Sequence, residues 1–268
     1  MKLLVFRGLD VTTPVAMVLA LVCVMIMMSI IGISPLVLLA PGPMVLVLGG
    51  TIFAASAGNV ASDLKKVPRT LRKAIASEGH TPGATITRMV ELARIARREG
   101  LLALDRESEG IDDPFFRKGL QMVVDGVDPE EVRAVLDSEI TSLRDRHRRG
   151  AKFFVDAGGF SPTLGILGTV IGLVKVLASI KDVNSVGPAV AAAFIATLWG
   201  VAMANLVWLP IANKLLRVSE VEVASMELTM EGLLAIQAGS SPNRIEARLL
   251  TFLAPKDRQG LAPGEQAA

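Results

Sequence analysis

Residues Phe160–Asn213 read FSPTLGILGTVIGLVKVLASI, then KDVNS, then VGPAVAAAFIATLWGVAMANLVWLPIAN. Two apolar runs flank a short polar turn, and neither run contains an Asp or a Glu. Charge-free sequence covers Ala157–Val174 and Val183–Asn213. A membrane-crossing helix needs roughly 20 predominantly apolar residues, so this stretch predicts a pair of membrane helices joined by a hairpin.

The composition inside the pair is selective. Gly165, Gly168 and Gly172 give the first run a face of small residues, and Ala192, Ala196, Gly200 and Ala204 recur every four residues in the second. Lipid offers no hydrophobic drive between helices, so small residues that admit a close backbone mark a tight helix–helix contact. The stripe either only packs the two runs together or also receives a helix from a partner. Thr169 and Thr197 fall near mid-span. A lone threonine there satisfies itself on the carbonyl four residues back, but two at similar depth offer oxygens to a hard cation. Pro162 and Pro210 stand toward one end of each run, and each removes a backbone donor from its helix. Each reads either as a hinge or as a plain helix boundary. A cation crossing at a carboxylate requires an intramembrane acid, and this pair has none. Either the chain conducts nothing, or a partner supplies the acid.

Working outward, Val11–Ser62 is also free of charge and long enough for two further spans, about Thr13–Ile33 and Met44–Val60, separated by the three prolines of Gly32–Pro43. The sequence therefore predicts an all-α polytopic membrane protein with four transmembrane helices. Pro14 sits at the start of the first span, where a missing N–H costs little. The apolar stretch near the N-terminus far exceeds the core of a cleavable signal and reads as a signal anchor. Lys65, Lys66, Arg69, Arg72 and Lys73 follow the second span, whereas the two hairpins hold only Lys181 and Asp182. Lys and Arg mark the cytoplasmic side, so both termini and the intervening polar segment are expected there.

That segment, 61–155, has helical patterning. Leu92, Ile95 and Ala96, then Leu101, Leu102 and Leu104, suit an amphipathic helix broken at Gly100, and Phe115, Phe116, Leu120, Met122 and Val123 suit another. Asp128-Pro129-Glu130-Glu131 combines an N-cap, a first-turn proline and first-turn acids. Its helix runs through Leu136 and Ile140 to the basic cluster Arg144–Lys152. The expected organisation is 1–60 for the first two spans, 61–155 for a cytoplasmic helical segment, 156–213 for the ion-path pair, 214–254 for C-terminal helices and 255–268 for a disordered tail.

Several classes are excluded. The chain has 268 residues and a net charge of +2, without a basic stripe interleaved with aromatics, which argues against nucleic-acid binding. The single Cys23 reads as an inert thiol within the first span, and His80 and His147 are too far apart to build a metal site. No nucleophile–base pair, metal cluster or phosphate loop appears, so the chain does not read as an enzyme. It calls for no cofactor beyond a transported Na⁺ or H⁺.

Four blocks carry a resemblance: ARREGLLALDRE (Ala96–Glu107), FSPTLGILGTVIGLV (Phe160–Val174), GPAVAAAFIATLWGVAMANLVWLPIANKL (Gly187–Leu215) and EGLLAIQAGSSPNRIEARLLTFL (Glu231–Leu253). They resemble the MotA/PomA family of flagellar motor stator subunits over about residues 1–255. The resemblance implies four spans, a ring of five in the cell inner membrane, and a MotB/PomB-type partner whose single membrane helix carries the missing aspartate. It further implies a cytoplasmic segment that drives the rotor protein FliG. By that resemblance Pro162 and Pro210 are the family's functional prolines, and Thr197 lies near the partner aspartate. Arg97 and Asp105 fall on its rotor-contacting positions, where the family usually has Glu in place of Asp105. A threonine at position 169 is similar to the sodium-driven type, so Na⁺ is favoured over H⁺. An ExbB/TolQ-like energiser of envelope proteins is the alternative, although those proteins place their long segment after one span. A structural scaffold without an ion path is the second alternative.

Overall fold

The computed structural model describes residues 5–6, 9–10, 12–75, 82–179 and 181–258. Apart from an antiparallel pair between Val5–Phe6 and Leu9–Asp10, the regular structure of these residues is helical. Helix α1 is Thr12–Ile30, and Cys23 lies exposed on it rather than in a core. It closes at Gly32, whose φ of 76° lets Ile33 N–H reach the Met28 carbonyl at 2.9 Å. A 3₁₀ turn at Pro35–Leu38 leads to α2, Pro41–Ala57. Pro41 and Pro43 begin that helix because a first turn has no use for their missing donors, so it starts before the expected Met44. A π-helical turn, Val45–Gly49, lies within it.

The short helix Ala61–Leu64 and α3, Val67–Ile75, follow. Next come α4, Pro82–Glu99, the short helix Leu104–Ser108, and α5, Pro114–Val124. Helix α6, Pro129–Ala178, is unbroken for 50 residues and begins as read, with Asp128 Oδ1 accepting from Glu130 N–H at 2.8 Å. Helix α7 comprises Val183–Met203, a π turn Ala204–Trp208 and Leu209–Gln237. Helix α8 is Pro242–Leu250. Pro255–Arg258, within the expected disordered tail, forms one helical turn where Arg258 donates to the Leu253 carbonyl at 2.8 Å; residues 259–268 lie outside the described residues.

Three helical stretches, Thr12–Ile30, Pro129–Ala178 and Asn184–Gln237, are long and apolar enough to cross a membrane. The fourth apolar helix, Pro41–Ala57, is shorter, about 25 Å at a rise of about 1.5 Å per residue.

The chain divides into two compact units, one formed by 1–78 with 147–218, the other by 79–146 with 219–268. This partition differs from the expected limits at 61–155 and 214–254. In the first unit, Ala55, Ala151, Phe154, Ala157, Ile211 and Leu215 form one buried cluster, with Leu64 and Val67 packed on it, so residues on both sides of position 61 belong together. In the second, Ile86, Leu92, Leu120 and Leu136 share a core with Leu228, Leu233, Ile245 and Leu249. The amphipathic faces read from α4, α5 and α6 are thus completed by the C-terminal helices.

Candidate functional site

The site lies where α6 and α7 meet in the first unit. Its backbone separation is set by glycine. A methyl built on Gly165 would lie 3.0 Å from the Ala196 carbonyl oxygen and 3.1 Å from Gly200 Cα. On Gly172 it would lie 2.5 Å from Ala193 Cβ, and on Gly200 2.7 Å from the Ser161 carbonyl oxygen. A methyl on Gly168 would meet Ala196 Cβ at 2.6 Å and Leu46 Cδ2 of α2 at 3.1 Å. The small stripe read from the sequence is therefore consumed by contacts within the chain. Along the seam the buried small positions of α7 include Ala189, Ala193, Ala196, Gly200 and Ala204, while Ala192 is half-buried beside them.

This close approach brings Thr169 and Thr197 together. Their hydroxyls hydrogen-bond to each other. Thr169 Oγ1 also lies 3.2 Å from the Gly165 carbonyl and 3.2 Å from that of Ala193, and Thr197 Oγ1 lies 3.4 Å from the Gly165 carbonyl. Each hydroxyl has one proton and two lone pairs, and each carbonyl two lone pairs. The helical N–H groups of Thr169 and Thr197 take one lone pair on each carbonyl. With the two hydroxyl protons, the four oxygens still hold more lone pairs than protons, an acceptor-rich group inside apolar helices. Such a group attracts a hard cation, which prefers oxygen ligands. Both side chains are half-buried, leaving the group open on one side.

Pro162 and Pro210 do not end helices. Pro162 lies inside α6 and leaves the Gly158 carbonyl without its helical donor. Pro210 lies two positions past the Ala204–Trp208 turn, and α7 continues beyond it. A π turn next to proline is a usual way for a helix to absorb the lost hydrogen bond. The balance between hinge and boundary moves to the interior position.

Arg97 and Asp105 belong to the second unit. Arg97 is in the last turn of α4, and Asp105 in the first turn of Leu104–Ser108. Gly100, with φ of 86°, turns the chain between them, where the sequence placed a break. Both side chains are exposed, and no ion pair joins them or engages either among the described residues. Nearby charges behave differently: Arg88 pairs with Glu107 at 2.7 Å and with Glu91 at 3.3 Å.

One polar group was not found from the sequence. Asn59, just past α2, donates to Asp156 Oδ2 at 2.9 Å and to the Ala55 carbonyl at 2.7 Å, and Lys152 reaches Asp156 at 2.8 Å. The available signal was an Asn closing one apolar run and an Asp opening another. Trp199 of α7 is likewise tied to the first hairpin, its indole N–H donating to the Leu38 carbonyl at 2.8 Å.

Residues 107–228 match the MotA/TolQ/ExbB proton channel family. The chain is 39% identical over 252 residues to motility protein A of Bacillus subtilis, covering 93% of each chain. It is 40% identical over 212 residues to motility protein A of Borreliella burgdorferi, covering 79% of this chain and 82% of that one. The fold superposes on a chain of the flagellar MotAB stator complex of B. subtilis with a TM-score of 0.87 at 38% identity, over 94% of this chain and 99% of that one.

Proposed function

The chain belongs to the MotA/TolQ/ExbB proton channel family, and from that premise we propose that it is the stator subunit of a bacterial flagellar motor. With a MotB/PomB-type partner it forms a cation channel, and ion flow through the channel produces torque on the rotor. The observation that carries this reading is the oxygen group of Thr169, Thr197, Gly165 and Ala193 in a helix pair without a carboxylate. Oxygens alone ligate a cation weakly. An aspartate on the partner's single membrane helix completes the site from the open side, next to half-buried Ala192 and Thr197, while Gly165, Gly168, Gly172, Ala196 and Gly200 hold α6 to α7.

The carried ion is Na⁺ in this reading. Two hydroxyls and two carbonyls replace part of a hydration shell, which a hopping proton does not require. Pro162 and Pro210 are the points at which α6 and α7 change shape as the site fills and empties. Arg97 and Asp105, exposed and without salt-bridge partners among the described residues, engage the rotor protein FliG in this reading. The subunits form a ring of five in the inner membrane, with four spans each and both termini cytoplasmic. Similarity along nearly the full length of motility protein A weighs against an ExbB/TolQ-like energiser.

Swimming and torque measured in a motile host test the reading. Thr197→Ala and Pro210→Leu are each expected to cut torque while the protein still reaches the membrane. Normal torque in both would leave only a scaffold role.

A further inference from the structure

Two basic segments border the apolar helices, and they meet at one place in the first unit. Leu64 and Val67 anchor the short helix Ala61–Leu64 and α3 on the cluster of Ala55, Ala151 and Phe154. Thr70 of α3 then lies against Gly150 of α6, where an added methyl would stand 3.5 Å from the Thr70 side chain. Lys65, Lys66 and Arg69 flank Thr70 along the chain, and Arg148, Arg149 and Lys152 flank Gly150, all exposed. Lys66 pairs with Asp63 at 3.3 Å and Lys152 with Asp156 at 2.8 Å. Among the described residues, Lys65, Arg69, Arg148 and Arg149 have no acidic partner.

Exposed cations without an acidic partner attract anions. The source of those anions is indicated by the adjoining surface. Val60 is 67% exposed five positions before Lys65, and Val155 and Phe160 are 44% and 41% exposed just beyond Lys152. Lys152 and Phe160 are separated by about 12 Å along α6. Long basic side chains extend from apolar surface toward the headgroup layer, and basic clusters beside membrane helices attract acidic lipids. We propose that this double basic strip, Lys65, Lys66 and Arg69 with Arg148, Arg149 and Lys152, binds the phosphate groups of acidic phospholipids. The inference needs only that the chain is inserted in a membrane. It stands or falls separately from the ion path.

The test uses the full chain in phosphatidylcholine vesicles doped with spin-labelled phosphatidylglycerol or spin-labelled phosphatidylcholine. Electron paramagnetic resonance then gives the relative association of each lipid. Phosphatidylglycerol is expected to be favoured about threefold or more at low salt. The preference should fall toward unity at about 1 M NaCl, where the screening length is about 3 Å. A combined Lys65→Gln, Arg69→Gln, Arg148→Gln, Arg149→Gln variant should lose it, and an Arg94→Gln, Arg98→Gln control should keep it. Replacing NaCl by sodium phosphate at equal ionic strength should change nothing further; a loss specific to phosphate would assign the strip to free phosphate and overturn the proposal. Equal association of the two lipids with the unmodified chain would also overturn it, as would a preference retained by the fourfold variant. If that variant fails to insert, the salt series on the unmodified chain decides, and a salt-independent preference refutes the proposal.

Discussion

Asn59 donates its side-chain N–H to Asp156 at 2.9 Å, bonding the end of α2 to α6 across 97 positions of sequence. Asp156 is the last charged residue before the apolar part of α6, and its side chain is only 18% exposed. Replacing Asn59 by Leu removes one of its donors and leaves Lys152 as the other. We predict a loss of about 1–2 kcal/mol in stability, in the range of a hydrogen bond to a charged group. Thermal unfolding of the detergent-solubilised protein checks this, and an unchanged midpoint would rule out a structural role for the bond.

The oxygen group between α6 and α7 predicts an ion dependence. At fixed proton-motive force, swimming speed should rise with external Na⁺, and Thr169→Ala should weaken that rise by removing a hydroxyl that contacts Thr197 and two carbonyls. Speed measured across a Na⁺ series decides the matter. Swimming indifferent to Na⁺ would assign the path to protons.

Glycine substitutions separate seam from surface. Gly200→Ala places a methyl 2.7 Å from the Ser161 carbonyl oxygen, and backbone cannot yield as a side-chain tip does. The expected cost is about 1–3 kcal/mol, as for an overpacked interior. Gly187→Ala, with nothing within 4 Å of the added methyl, should leave unfolding unchanged. Equal melting behaviour of the two variants would contradict the seam geometry.

Charge reversal at the second unit is predicted to act on torque alone. Arg97 is exposed and forms no ion pair among the described residues, so Arg97→Glu should leave the amount of membrane-assembled protein unchanged. Exposed charges contribute at most about 1 kcal/mol to stability, and the effect should appear in motor torque under load. Unaltered torque would remove Arg97 from the rotor contact.

What could be read in advance was whatever rests on local chemistry. Asp128 and Pro129 announce the start of α6, Gly100 announces a break, and the apolar lengths announce helices at home in a membrane. The meeting of Thr169 with Thr197 was also accessible, because both sit at similar depth in consecutive spans. Pairings across long sequence distances were not. Helical periodicity gives a face but not its neighbour, so the glycines of α6 could be assigned to a partner helix as readily as to α7. It also could not tell that Ala193, one position from Ala192, takes the contact with Gly172. The same limit hid the role of Leu228, Leu233, Ile245 and Leu249 in completing the core of the second unit. The π turns at Val45–Gly49 and Ala204–Trp208 leave no residue signature, since any apolar run accommodates one.

The turn at Ala204–Trp208 adds one residue to the regular repeat of α7. A π turn holds one residue more than the α pattern needs, and that surplus can migrate along a helix at the expense of little more than one exchanged hydrogen bond. Each step of one residue re-indexes the side chains it passes by about 100° and shifts them by about 1.5 Å along the axis. Above the turn stands Thr197, and below it Pro210, which cannot contribute an N–H to the exchange. Such an exchange would therefore stop at Pro210 on one side, while on the other it would act on the part of α7 that holds Thr197.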